Sequence, residues 1–146
     1  ALGVRVWAHD ALLPPHDPIY AQLQVTPVGL DRLLSESDIV SLHVPLLPST
    51  RHLINAQRLA QFKPGAVLIN TARGGVVDEA AVVQALRNGQ LAGAALDVFE
   101  AEPLRDASAW GDAPNLILTP HIAGVATESN QRVSELIASQ VLKALS

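Results

Sequence analysis

The sequence predicts an α/β domain built on a doubly wound parallel sheet, and three observations carry that prediction. Apolar runs of strand length recur along the chain, helical apolar stripes separate them, and the connections between the two are short. Right-handed crossovers between successive strands align them, so their carboxyl ends share one edge of the sheet. In open α/β sheets that edge is where ligands bind.

Taken in order, Val4-Arg5-Val6-Trp7-Ala8-His9 reads as a strand that ends in Asp10. A carboxylate there can take the two ribose hydroxyls of a dinucleotide, although Asp10 reads equally well as the start of a turn. Pro14-Pro15-His16-Asp17-Pro18 is expected to be an irregular surface loop, and Leu23-Gln24-Val25 a short edge strand. A short helix over residues 30–35 leads to a strand over residues 38–43. Val44-Pro45-Leu46-Leu47-Pro48 follows as a rigid loop, because each proline fixes its own φ and restricts the residue before it.

Asn55 suits the N-cap of a helix reaching about residue 62, which Lys63-Pro64-Gly65 ends. Ala66–Asn70 is apolar without polar alternation, the pattern of a central strand buried on both faces. Asp78 caps a helix over residues 79–88, with Val82, Val83 and Leu86 on one face and Gly89 just past its end. Residues 91–99 form the next strand, whose Gly93-Ala94-Ala95 run is expected to let a helix pack closely, and residues 115–119 form the last. Val133, Leu136, Ile137, Val141 and Ala144 then stripe a helix from about residue 127 to the end.

Composition narrows the function. The 146 residues make one domain by length, and 49% apolar against 16% charged residues is a globular balance. A net charge of -4 with no basic cluster argues against a nucleic-acid partner. With no cysteine there are no disulfides, thiolate metal sites or cysteine nucleophile, and a reducing cytoplasm fits. No apolar run approaches the ~20 residues of a membrane span, so no membrane partner is expected. His9, His16 and His52 show no metal-ligand spacing, and the chain lacks the G-x-S-x-G of a serine hydrolase.

Three polar residues fall just beyond three predicted strand ends: Arg73, Glu102 and His121. An isolated Arg-Gly-Gly is most often a solvated loop, but its neighbours reverse that reading. A guanidinium with Gly74 and Gly75 behind it can grip a carboxylate through two parallel hydrogen bonds, because no Cβ crowds the approach. A carboxylate beside an imidazole favours its protonated form and sets its tautomer. The trio then reads as carboxylate clamp, proton donor and donor tuner, which suits reduction of a 2-oxo acid by a nicotinamide.

Residues 70–79 (NTARGGVVDE), 96–103 (LDVFEAEP) and 119–124 (TPHIAG) resemble the signatures of the D-isomer-specific 2-hydroxyacid dehydrogenases. The resemblance runs over nearly the whole chain and includes residues 42–50 (LHVPLLPST), which lean toward the phosphoglycerate-dehydrogenase-like branch. It implies a Rossmann-like domain, NAD as cofactor and a small 2-hydroxy or 2-oxo acid as substrate. It also implies that Arg73 binds the substrate carboxylate, that Glu102 pairs with His121, and that His121 is the acid/base. Glu102, which stands before Pro103, is selected over Glu100. Asp10 would hold the adenosine ribose and favour NAD over a 2′-phosphorylated cofactor. Val44 and Pro45 would line the adenine side, and Thr71, Ala72 and Arg73 the nicotinamide side. Asp97 would bind the carboxamide, and the loop from His121 to Gly124 would close the site. His43 is expected to be a packed histidine at a strand end.

A dinucleotide fold carries its glycine-rich turn about 20 residues before the ribose acid, and only nine residues precede Asp10. Residues 1–146 are therefore expected to be a partial dinucleotide-binding domain without that turn, the first strand or the substrate domain. Alone, such a chain is expected to be inactive and to bind NAD negligibly; the alternative is a non-catalytic, corepressor-like interaction module. The absent strand would leave a gap of roughly 9–10 Å between the strand of residues 4–9 and that of residues 38–43. The expected filler is another copy of the chain, a dimer or larger homo-oligomer, or a complementing fragment, since unpaired strand edges invite pairing.

Overall fold

The computed structural model describes residues 3–145. The elements run β1 (Trp7–Ala8), α1 (Pro18–Gln22), β2 (Thr26–Pro27), α2 (Leu30–Glu36), β3 (Ile39–Leu42), α3 (Ala56–Leu59), β4 (Ala66–Asn70), α4 (Glu79–Arg87), β5 (Leu91–Leu96), β6 (Leu116–Leu118) and α5 (Thr127–Leu145). A 3₁₀ turn at Gly74–Val76 joins β4 to α4. Strands β3-β4-β5-β6 form one parallel sheet in chain order, and β1 pairs in parallel with β2 in a separate two-stranded sheet. The parallel α/β class predicted from the apolar runs is the one observed.

Local chemistry explains the boundaries. The Asn55 side chain accepts from the Arg58 amide at 3.1 Å, and Asp78 accepts from the Ala81 amide at 3.0 Å, each satisfying a donor that its helix leaves unpaired. Gly89 follows α4 at φ +77°, a conformation that costs glycine least. Three expectations need correction near the front. Residues 14–17 form the expected loop, but Pro18, placed in it, opens α1, because Asp17 caps the helix and a missing N–H costs nothing in its first turn. The edge strand lies at Thr26–Pro27 rather than at 23–25, since Leu23 caps α1 and Gln24 takes φ +56°. The first strand is only Trp7–Ala8, because pairing with β2 covers only those residues.

The register explains the core. Val40, Leu68, Ala94 and Leu116 lie side by side across the sheet, with Leu42, Asn70, Leu96 and Leu118 in the next such row. These rows face a cluster that includes Leu34, Ile54, Leu59, Val76, Val82 and Leu86, from α2, α3, α4 and the turns between them. The opposite face carries Ser41, Ile69, Ala95 and Ile117 in register, and it is barely covered: Ile39 is 61% and Ile117 63% exposed. The continuous apolar run of β4 therefore overstates its burial here, since Val67 and Ile69 are only half-buried. The Gly93 expectation is also corrected. A Cβ there would stand 3.2 Å from the Asn115 carbonyl, so the glycine accommodates the neighbouring chain entering β6 rather than a helix.

Between β1 and β3 the sheet is interrupted. A cavity of about 630 Å³ separates residues 4–8 from Ile39, Val40, Ser41 and His43. Strand β1 does not close onto β3, as expected for a fold in which another strand lies between them. Helix α5 has no buried residue, and its stripe of Val133, Leu136, Ile137 and Val141 is at least half exposed.

Candidate active site

Arg73, Glu102 and His121 lie beyond the carboxyl ends of β4, β5 and β6, on one edge of the parallel sheet. Two of them meet. His121 Nδ1 is 2.7 Å from Glu102 Oε2, and Glu102 Oε1 accepts from the Phe99 amide at 2.9 Å. The imidazole, and after it the Phe99 amide, hold the Glu102 carboxyl below its ordinary range. With Nδ1 turned to the carboxylate, Nε2 is the ring nitrogen left for a substrate. The pair lines a cleft of about 670 Å³ whose apolar wall is Phe99, Leu104 and Leu118.

His121 adopts φ +55°, the left-handed region that a side chain ordinarily avoids. The buried Asp97 braces that loop: Oδ1 accepts from the Thr119 hydroxyl at 2.5 Å and the Ile122 amide at 2.9 Å, and Oδ2 from the Ala123 amide at 2.8 Å. Burial pushes the Asp97 carboxyl up, but these three donors and the His121 imidazole together outweigh it and hold it low. Asp97, expected to serve the carboxamide, thus also anchors the segment that carries His121.

Arg73 is outside this hydrogen-bonded group. Its Nη1 donates to the Ala72 carbonyl at 2.6 Å, and the residue is exposed. Asn70, fully buried at the end of β4, shapes the turn beneath it: Oδ1 accepts from the Ala72 amide at 3.1 Å and Nδ2 donates to the Arg73 carbonyl at 3.0 Å. The glycines have a different task from the one expected. Gly74 and Gly75 are buried, and a Cβ on Gly74 would fall 1.9 Å from the Phe99 carbonyl carbon. Gly74 lets the Arg73 turn press against the turn that carries Glu102, and Gly75 lies against the Leu46 side chain.

At the other end of the edge, Asp10 and Val44 share a cleft of about 360 Å³ with His9, Leu13 and Leu42. Asp10 Oδ1 accepts from the Leu12 amide at 2.7 Å, so the residue does begin a turn, with its carboxylate exposed beside the cleft. Pro45 is exposed, and its carbonyl accepts from the Thr50 hydroxyl at 2.6 Å. Thr71 is exposed beside a half-buried Ala72, and Gly124 is exposed, with open space where a Cβ would stand. His43 is not packed: it is exposed, 2.9 Å from the Ser41 hydroxyl, because the interrupted sheet leaves that strand end uncovered. Among the described residues no group of three histidines, acids or cysteines could hold a metal ion, and no helix is long and apolar enough to cross a membrane. Sequence reasoning missed Asn70 and Thr119. A polar residue closing an apolar strand was a usable signal for Asn70; Thr119 had none.

Parallel strands with an exposed acid beyond β1 and a histidine–glutamate pair beyond β5 and β6 have the arrangement of a dinucleotide-binding domain. The chain belongs to the D-isomer specific 2-hydroxyacid dehydrogenase family, whose NAD binding domain matches residues 1–123. It is 50% identical to the (S)-sulfolactate dehydrogenase of Chromohalobacter salexigens over 99% of its own length and 46% of that protein's. It is 49% identical to the D-3-phosphoglycerate dehydrogenase of Haemophilus influenzae over 98% of its length and 35% of that protein's. Among solved structures, a D-lactate dehydrogenase from Sporolactobacillus matches with a TM-score of 0.83 at 37% identity, covering 98% of this chain and 46% of that one. The chain thus spans less than half the length of these relatives.

Proposed function

We propose that the chain is the cofactor-binding part of an NAD-dependent dehydrogenase that interconverts a small 2-hydroxy acid and its 2-oxo acid. The observation that carries this reading is the 2.7 Å pair of His121 and Glu102 at the carboxyl edge of a family NAD-binding domain. The clefts fit the two ends of the cofactor. The exposed Asp10 carboxylate can accept from ribose hydroxyls beside the apolar wall of Val44, Leu42 and Leu13, and it would repel a 2′-phosphate. Bound nicotinamide supplies or accepts the hydride.

The residues of the chain do the rest. In the reducing direction, the protonated imidazole of His121 donates from Nε2 to the substrate carbonyl oxygen, and in the oxidising direction neutral Nε2 takes the hydroxyl proton. Glu102 fixes the ring through Nδ1. Arg73 grips the substrate carboxylate once its guanidinium leaves the Ala72 carbonyl. The relatives act on sulfolactate, glycerate, glyoxylate, phosphoglycerate or hydroxypyruvate by name, which supports a small acid without choosing one.

The cavity between β1 and β3 and the bare sheet face suit a further segment of the protein, or a second copy, that adds a strand and covers Ile39 and Ile117. The decisive assay follows NADH absorbance in the complete protein with glyoxylate, hydroxypyruvate and other 2-oxo acids. Consumption of NADH with one of them is expected; none with any would overturn the reading. A structure of the complete protein with β1 bonded directly to β3 would overturn the added strand.

A further inference from the structure

We infer that Glu79 is a positioning residue for the Glu102–His121 pair, holding the turn that carries Glu102 through the Glu100 amide. The inference rests on the acid/base reading of His121 above. Glu79 opens α4, and its Oε1 accepts from the Glu100 amide at 2.6 Å. Two more contacts converge on the same peptide. Gly74 lies against it so closely that an added Cβ would fall 1.9 Å from the Phe99 carbonyl carbon and 2.6 Å from the Glu100 nitrogen. The Glu100 side chain adds a tether, its carboxylate meeting His52 Nε2 at 2.9 Å.

The Phe99–Glu100 peptide is thus held from α4, from the Arg73 turn and from the loop before α3, and its neighbour, the Phe99 amide, orients Glu102. If Glu79 releases Glu100, that peptide can rotate, and the Phe99 N–H moves with it. Glu102 Oε1 then loses its donor, and Oε2 loses its fixed bearing on His121.

The electrostatics make Glu79 an expensive choice for a helix start alone. Burial raises its carboxyl; the Glu100 amide opposes this, while the carboxylates of Glu100, Asp78 and Glu102 add to the rise. A carboxylate suits a helix's first turn through the helix dipole, but three neighbouring carboxylates oppose that gain here. Around Glu102 itself the charged groups are His121, Asp97 and Glu79.

The test compares Glu79→Ala with Glu79→Gln in the complete protein, reading kcat, KM and the Glu102 carboxyl titration by ¹³C NMR. Glutamine keeps a carbonyl oxygen for the Glu100 amide, so Glu79→Gln is expected to retain native kcat and a low Glu102 titration. Glu79→Ala is expected to lower kcat by about tenfold to 100-fold with little change in KM, as loss of a fixed geometry does. In that variant the Glu102 titration should move up. The sign is diagnostic, because removing a neighbouring negative charge by itself would move Glu102 down. If Glu79→Ala does not fold, Glu79→Asp replaces it, with the charge retained and the reach to the amide lost. An unmoved Glu102 titration, or equal damage from glutamine and alanine, would overturn the inference. A Glu102 shift without a fall in kcat would overturn the inference, whereas native turnover in His121→Ala would overturn the acid/base reading on which it rests.

Discussion

His121 Nδ1 and Glu102 Oε2 stand 2.7 Å apart, joined across two loops that the sheet brings to one edge. Neither loop owes its shape to the pair alone. Asp97 holds the histidine's segment, and the Phe99 amide orients the glutamate.

That pairing makes stability depend on acid. His121, then the Phe99 amide, keep the Glu102 carboxyl below its ordinary value of 4.5, so the unfolded chain takes up this proton at higher pH than the native one. The contribution is fully present above about 4.5 and is lost as pH falls through the lower native value. Urea denaturation from neutral to acid pH should reveal a steeper loss in the native protein than in Glu102→Gln. Parallel profiles would show that the pair does not stabilise the fold.

Substituting His121→Ala should lower kcat by ~10²–10⁴, the usual cost of losing a positioned proton donor. NADH binding, followed by fluorescence titration in the complete protein, should survive. Turnover near the native rate would remove His121 from the mechanism.

For Arg73→Lys the expected change is a higher KM for the oxo acid with kcat less affected, because an ammonium cannot supply the planar two-point contact. Steady-state kinetics decide this, and an unaltered KM would end the clamp assignment.

Gly74→Ala should destabilise the protein by about 1–3 kcal/mol or more, since its Cβ has nowhere to go but into the Phe99–Glu100 backbone. It should also slow turnover, because the displaced turn carries Glu102. A native denaturation midpoint would contradict the observed close approach.

In Thr119→Val the hydroxyl donor to buried Asp97 disappears at nearly constant shape. A carboxylate left short of a partner costs about 1–3 kcal/mol, measurable by urea denaturation. No loss of stability would mean that the two amides suffice.

The sequence by itself determined the parallel α/β class, four of the main-sheet strands to within a few residues, and the Asn55 and Asp78 caps. These are local signals: the apolar run of Ala66–Asn70, a capping side chain and a glycine after a helix act within a few residues of chain. The same locality explains the misses, since whether Pro18 opens a helix or ends a loop depends on how Asp17 and Tyr20 settle against the rest. Motif order brought Glu102 and His121 forward as partners, and tertiary structure decided that they touch while Arg73 turns to its own backbone. Only the packed fold could assign Gly74 to the back of the Glu102 turn, Thr119 and Asp97 to the His121 loop, and Glu79 to the Glu100 amide. Each of those contacts joins segments that follow different strands. Their distance is set by strand register and helix packing, which no short stretch of sequence encodes.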